Sequence, residues 1–278
     1  MKNILITGCS SGIGRALALE LNKRQGFNVL ASARKEDDLF SLKELGISTL
    51  ALDVTDEVQV DRALKSVSEE HGVIDVLINN AGYGSMGAVV ELPREELLRQ
   101  FKTNVFAPVL LANKLIPAMR EQGQGSIINI GSISGEVTTP FSGSYCASKA
   151  AFNAFSDAMR MELKPFGIRV LTVLPGAIKS RFAENANAAL ERVFSEDSIY
   201  FPIEEGVRER ANASQDRPTP AEKVATEIAD WLESSSQKGI LRVGNGSRAL
   251  PGLKRLLPGS WFEAILRRRF RLNRLPVR

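Results

Sequence analysis

Short runs of Val, Ile and Leu alternate along the chain with longer segments whose apolar residues recur every three or four positions. The runs at 3–7, 28–33, 48–52, 75–79, 126–131, 168–174 and 239–243 predict strands. The periodic segments at 12–25, 36–45, 56–71, 93–122, 143–164 and 219–234 predict helices. Alternating strand and helix requires right-handed crossovers, and so a parallel sheet covered on both faces. Strands of such a sheet are apolar throughout, as "IRVLTVL" (168–174) is. The expected fold class is therefore α/β, a doubly wound parallel sheet of seven strands flanked by helices.

Two segments break this rhythm. Residues 181–218 are rich in Ala and charge and carry no strand signal. A long insertion near the end of a sheet reads as a helical substrate lid rather than as a domain. Residues 251–278 hold eight Lys/Arg and one acid, Glu263, a net of +7. The whole chain carries +4, so the other 250 residues are at −3, and the basic balance belongs to the tail. That excludes a nucleic-acid footprint on the whole domain. The expected organisation is one domain, 1–250 with its lid, followed by a basic extension, 251–278. At 100° per residue, Trp261, Phe262, Ile265, Leu266, Phe270 and Leu272 share one half of a helix, and Arg267, Arg268 and Arg271 the other. Arg269 projects into the apolar half. Such a helix either docks beside the lid or makes peripheral contact with an anionic membrane.

Composition adds exclusions. Of 278 residues, 44% are hydrophobic and 24% charged, enough apolar mass for one large α/β domain. Cys9 and Cys146 cannot build a disulfide framework, and the lone His71 with them makes no zinc-type cluster. "MKNILITG" is too short for a signal peptide, and "NVFAPVLLANKLIPAM" (104–119) is too short to span a bilayer and is interrupted by Asn113 and Lys114. A soluble, cytoplasmic protein without a metal is expected.

The first strand runs directly into "TGCSSGIGRALALEL". Gly8, Gly12 and Gly14, with Ser10, Ser11 and Ile13 between them, open the first helix. Glycines let a turn pass close to a pyrophosphate, and a helix N-terminus offers free N–H groups and a positive dipole end. The end of the second strand selects the dinucleotide. An acid there would bond a ribose 2′-hydroxyl. This chain has Ala33 instead, followed by Arg34 and Lys35. A carboxylate would repel a 2′-phosphate, whereas a guanidinium can bind it bidentately. The expected cofactor is NADP(H).

In "SYCASKAAF" Tyr145 and Lys149 are four residues apart, on one face of a helix, with no neighbouring acid to pair the lysine. A free tyrosine has a pKa near 10 and is a poor base at neutral pH. An adjacent ammonium favours the phenolate, each unit of downward shift needing about 1.4 kcal/mol. A salt bridge would cancel that charge.

"TGCSSGIG", "NNAG" (79–82), "TN" (103–104), "GS" (131–132), "YCASK" (145–149) and "PG" (175–176) together resemble the short-chain dehydrogenase/reductase family. The resemblance covers about residues 3–180 and the last strand, and the order and spacing of the motifs make it specific. It implies a Rossmann-type fold and alcohol–carbonyl interconversion. It implies a catalytic set of Asn104, Ser132, Tyr145 and Lys149. Ser132 would hold the substrate oxygen, Lys149 would also bond the nicotinamide ribose, and Asn104 would position a water linking the lysine to solvent. Asp53 and Val54 would meet the adenine. The backbone of Asn80, Ala81 and Gly82 would line the cofactor, and Pro175, Gly176, Ile178 and Ser180 would stand where the nicotinamide carboxamide is met. Ser180 replaces the family's usual threonine and keeps its hydroxyl. "NAGYGSMG" and the basic extension are most like the branch with NADP-dependent 17β-hydroxysteroid dehydrogenases and acyl-dihydroxyacetone-phosphate reductases.

The resulting expectation is an NADP(H)-dependent oxidoreductase, a short-chain carbonyl reductase acting on a small apolar ketone or secondary alcohol. Helices 93–122 and 143–164 carry surplus apolar surface. In the family the matching helices pair across a two-fold axis, which implies a homo-oligomer, at least a dimer. A catalytically silent NADP(H)-binding scaffold is the alternative, although nothing in a binding module requires the Asn104/Ser132/Tyr145/Lys149 set. A serine hydrolase is disfavoured by the single, misplaced histidine.

Overall fold

The computed structural model describes residues 1–275. The chain forms β1 (Lys2–Ile6), α1 (Gly12–Lys23), β2 (Phe27–Ala33), α2 (Phe40–Lys43), β3 (Ser48–Ala51), α3 (Glu57–His71), β4 (Val76–Asn79), α4 (Arg94–Phe101), α5 (Ala107–Glu121), β5 (Gly125–Ile130), α6 (Gly143–Leu163) and β6 (Ile168–Pro175). After these come α7 (Phe182–Leu190), α8 (Glu204–Asn212), α9 (Ala221–Glu233), β7 (Ile240–Val243), α10 (Ala249–Leu256) and α11 (Gly259–Arg269). The seven strands make one parallel sheet in the order β3-β2-β1-β4-β5-β6-β7. The chain winds outward from β1 to β3, then returns past β1 to lay β4 on its other side. The crevice at this reversal, beyond the strands' C-terminal ends, is where such sheets bind ligands.

Successive side chains of a strand point to opposite faces, so an all-apolar strand feeds two cores. Ile4 and Ile6 pack on one face with Leu17, Leu21, Val224 and Ile228 of α1 and α9. Leu5 packs on the other with Leu111, Leu115 and Met159 of α5 and α6.

Three expectations change in detail. The helix expected over 36–45 shrinks to the single turn α2, preceded by a 3₁₀ turn at Asp37–Leu39. The helix expected over 93–122 splits into α4 and α5 around a π-helical turn, Lys102–Phe106, that carries Asn104. Such turns recur at functional sites because they re-aim a side chain from within a helix. The lid segment contributes α7 and α8, which pack as a third core with Met86, Phe141 and Tyr145.

The basic extension lies on this lid. Phe262 and Phe270 are buried, and Phe270 and Leu266 join the lid core. The tail crosses α8 so closely at Gly206 that a Cβ there would stand 2.3 Å from the Phe270 carbonyl oxygen. Arg269 pairs with Glu209, and Arg271 with Glu205 and Glu209. The helix stops at Arg269, and Arg271 takes a positive φ. Leu272 therefore leaves the helical face expected for it, although it still packs on the lid core. Trp261 and Ile265 stay exposed, at 66% and 48%. No helix among the described residues is long and apolar enough to cross a membrane.

Candidate active site

The crevice opens as a single cavity of about 1250 Å³. Its floor begins at the turn after β1. Gly8 and Gly12 take positive φ, of 75° and 58°. The segment "NNAG" braces this turn. Thr7 Oγ1 accepts from the backbone N–H groups of Asn80 and Ala81, both at 3.0 Å, while Asn80 Nδ2 donates to the carbonyls of Thr7 at 2.8 Å and Gly8 at 3.0 Å. A Cβ on Gly14 would meet both Gly8 O and Asn80 Nδ2 at 2.4 Å. Gly14 therefore does not line the cavity; it lets α1 close against the turn. Ser11 precedes α1 in extended backbone, and its side chain makes no capping bond. The first N–H groups of α1 are thus left for a ligand, and the turn fits a pyrophosphate.

Gly8, Ser10, Ser11, Gly12, Ile13, Arg34, Asp53, Val54, Asn80, Ala81, Gly82, Pro175, Gly176, Ile178 and Ser180 all border the cavity. Lys35 does not. It is exposed one position beyond the strand tip, leaving Arg34 as the cation at this corner. The Asp53 carboxylate accepts from the N–H and hydroxyl of Thr55 at 2.9 and 2.8 Å, a tight turn that fixes it at the rim.

Ser132, Tyr145 and Lys149 meet deeper in the crevice and line it together. Ser132 caps a 3₁₀ turn after β5, its Oγ accepting from Ser134 N–H at 3.0 Å. Tyr145 is 8% exposed and its ring lies against Phe182 of the lid, with ring centres 5.3 Å apart. Burial pushes its phenol up to about 12, against a hydrogen bond with Ser132 that acts the other way. Lys149 is 7% exposed, and its Nζ donates to the Ile130 carbonyl at 2.7 Å. Burial brings its ammonium down to about 8. No carboxylate among the described residues pairs with it.

Besides Lys149, one helical turn away on the same face, a second cation, Arg210, acts to lower the Tyr145 phenol. Asn104 does not open into the cavity. Its Oδ1 accepts from Tyr83 N–H at 3.1 Å, and its Nδ2 donates to Tyr83 O at 2.9 Å and Ser148 Oγ at 3.1 Å. These bonds fix the Tyr83 loop behind Lys149.

The sequence reading missed Arg210, Thr139 and Phe182, which also line the cavity. Arg210 sits in "EEGVRERAN", a charge run that reads as a solvated helix face. Nothing in the sequence shows that three neighbouring arginines take up its acids.

A family model described as short chain dehydrogenase matches residues 2–191. The chain belongs to the short-chain dehydrogenase/reductase family. It is 38% identical over 266 residues to the uncharacterized oxidoreductase YbbO of Escherichia coli, covering 95% of this chain and 94% of that one. It is 36% identical over 234 residues to the NADPH-dependent 1-acyldihydroxyacetone phosphate reductase of Schizosaccharomyces pombe, covering 82% and 76%. A crystal structure of a short-chain dehydrogenase from Streptomyces avermitilis aligns with a TM-score of 0.80 at 30% identity, covering 98% and 97%. Membership of the short-chain dehydrogenase/reductase family makes the protein an oxidoreductase and its sheet a Rossmann-type sheet.

Proposed function

We propose that the protein is an NADP(H)-dependent reductase that interconverts a ketone and a secondary alcohol on a largely apolar substrate. The observation that carries this reading is the convergence of Ser132, Tyr145 and Lys149 on one cavity with the open turn of α1 and Arg34. NADP(H) fits this cavity and, when bound, supplies or accepts the hydride. The N–H groups of α1 and the Gly8–Gly12 turn would hold its pyrophosphate, and Arg34 the 2′-phosphate. Ser132 would hold the substrate oxygen. Tyr145, protonated at neutral pH, would give that oxygen its proton, and the Lys149 ammonium would favour the phenolate left behind. Asn104 would position the Tyr83 loop. Val137, Phe182, Leu266 and Phe270 make the substrate end apolar. The fission yeast relative's name, a 1-acyldihydroxyacetone phosphate reductase, supports a lipid-like substrate. NADPH oxidation measured against steroid, acyl, aromatic and quinone carbonyls tests the reading. Turnover with at least one class is expected, and none with any would overturn it.

We further propose two assemblies. Phe106 and Leu110 of the α4–α5 unit and Phe155 of α6 are exposed at 50%, 42% and 44%, a surplus that a second copy would cover. Light scattering at micromolar concentration should give at least a dimer, and a monomer would contradict this. At the tail, exposed Leu256, Trp261 and Ile265 stand among exposed Arg255, Arg267 and Arg268, a combination suited to an anionic lipid surface. Co-sedimentation with anionic vesicles should exceed that with neutral ones and fall at high salt; equal binding to both would sink the idea.

A further inference from the structure

Among the described residues, three charged side chains are more than nine-tenths buried: Glu96, Lys149 and Arg210. Glu96 is met by Arg192, Arg99 and the Tyr83 hydroxyl. Lys149 is held by Ile130. Arg210, on α8 and 8% exposed, donates from Nε to Thr139 Oγ1 at 2.6 Å. No carboxylate among the described residues lies within 4 Å of its guanidinium. The acids of its own helix are already engaged. Glu204 pairs with Arg208, Glu205 with Arg271, and Glu209 with Arg269 and Arg271.

Beyond Thr139 the guanidinium meets only the Cys146 thiol, a weak acceptor, so among the described residues it has no counter-charge, while the side chain borders the cavity beside Tyr145. A buried charge with no counter-charge is costly, and a ligand anion would offset that cost. The unused side of a guanidinium is a planar fork matched to two oxygens of a carboxylate or phosphate. Arg192 and Arg269 also border the cavity, but each is neutralised by a glutamate. The same cavity is also bordered by apolar Val137, Phe182, Leu266 and Phe270.

We propose that Arg210 is a substrate-binding residue that takes an anionic oxygen group, carboxylate or phosphate, so that the substrate is an amphipathic acid rather than a purely apolar ketone. This rests on the reductase reading and narrows its substrate class. Burial lowers the guanidinium's own pKa, and Tyr145 and Cys146 act the other way; an arginine nonetheless keeps its charge across the working pH range.

The test is calorimetric binding to the NADP⁺-loaded protein, which needs no turnover. The probes are decanoate, decyl phosphate and decanol. One of the two anions should bind about 10- to 150-fold more tightly than the alcohol, the scale of a buried charge-assisted bond. Which anion it is separates a carboxylate site from a phosphate site. Arg210→Gln should bring the anion-to-alcohol ratio close to one, and Arg210→Lys should restore part of it. Without ligand, Arg210→Gln should melt no lower than the parent, since an unpaired buried charge is removed. Equal binding of all three probes by the parent overturns the proposal. So does an Arg210→Gln variant that keeps the preference, or one that melts much lower, which would make the arginine a structural strut. An anion preference with no NADPH oxidation on any carbonyl would leave the Arg210 site standing and overturn the reductase reading alone.

Discussion

Tyr145→Phe is expected to lower kcat by at least about 10²-fold, the scale of a lost general acid or base, while NADPH binding stays nearly unchanged. The variant removes one oxygen and keeps the ring against Phe182, so the lid core is preserved. The large effect follows from the environment of the hydroxyl. Burial pushes the phenol up to about 12, so it is protonated at neutral pH and would enter the proposed reduction as an acid. Ser132 stabilises the ionised form, Arg210 lies close enough to do the same, and Lys149 sits one helical turn away on the same face. These three groups supply what the phenol needs to release its proton, and none can supply the proton from the same place. Steady-state kinetics with the best carbonyl substrate, with cofactor affinity from NADPH fluorescence, checks it. Near-parental kcat would remove Tyr145 from the chemistry.

The second large effect is expected at the cofactor's far end. Arg34→Ala should weaken NADPH selectively and leave NADH nearly untouched. A charge-assisted hydrogen bond to a phosphate is worth roughly 1.5–3 kcal/mol, or about 10- to 150-fold in affinity. Arg34 is solvent-exposed, and screening places the loss toward the lower end, about 10-fold. Arg34, unlike Lys35, borders the cavity. Ala33, the last residue of β2, leaves no carboxylate at the strand tip to receive a ribose hydroxyl. Titrations of both cofactors with both proteins check it. An equal loss for NADPH and NADH would show that Arg34 does not read the 2′-phosphate.

The sheet was legible because burial on two faces writes the strands as unbroken Val/Ile/Leu runs, and all seven expected strands are present to within a residue or two. The phosphate turn was legible because Gly8 and Gly14 have no alternative there. Two kinds of feature were not. Local distortion was hidden, because the π turn at Asn104 leaves the apolar period of 93–122 intact on either side. Charge pairing across the chain was hidden as well. Glu205 and Glu209 are some sixty residues from the tail arginines they bind. That pairing strips Arg210 of its acids and sends the half-apolar tail onto the lid. The same pairing explains why Arg269 is tolerated on the helix's apolar half: it reaches Glu209.

In the proposed reaction this chain moves a hydride between NADP(H) and a carbonyl carbon. The most direct measurement uses NADPH carrying deuterium at nicotinamide C4, in separate samples for each face, with the best substrate of the carbonyl series. Mass spectrometry of the alcohol should show one deuterium on the carbinol carbon from one face only, and Tyr145→Phe should slow its appearance in proportion to kcat. Alcohol formed without deuterium from either sample, or no alcohol at all, would exclude this hydride transfer.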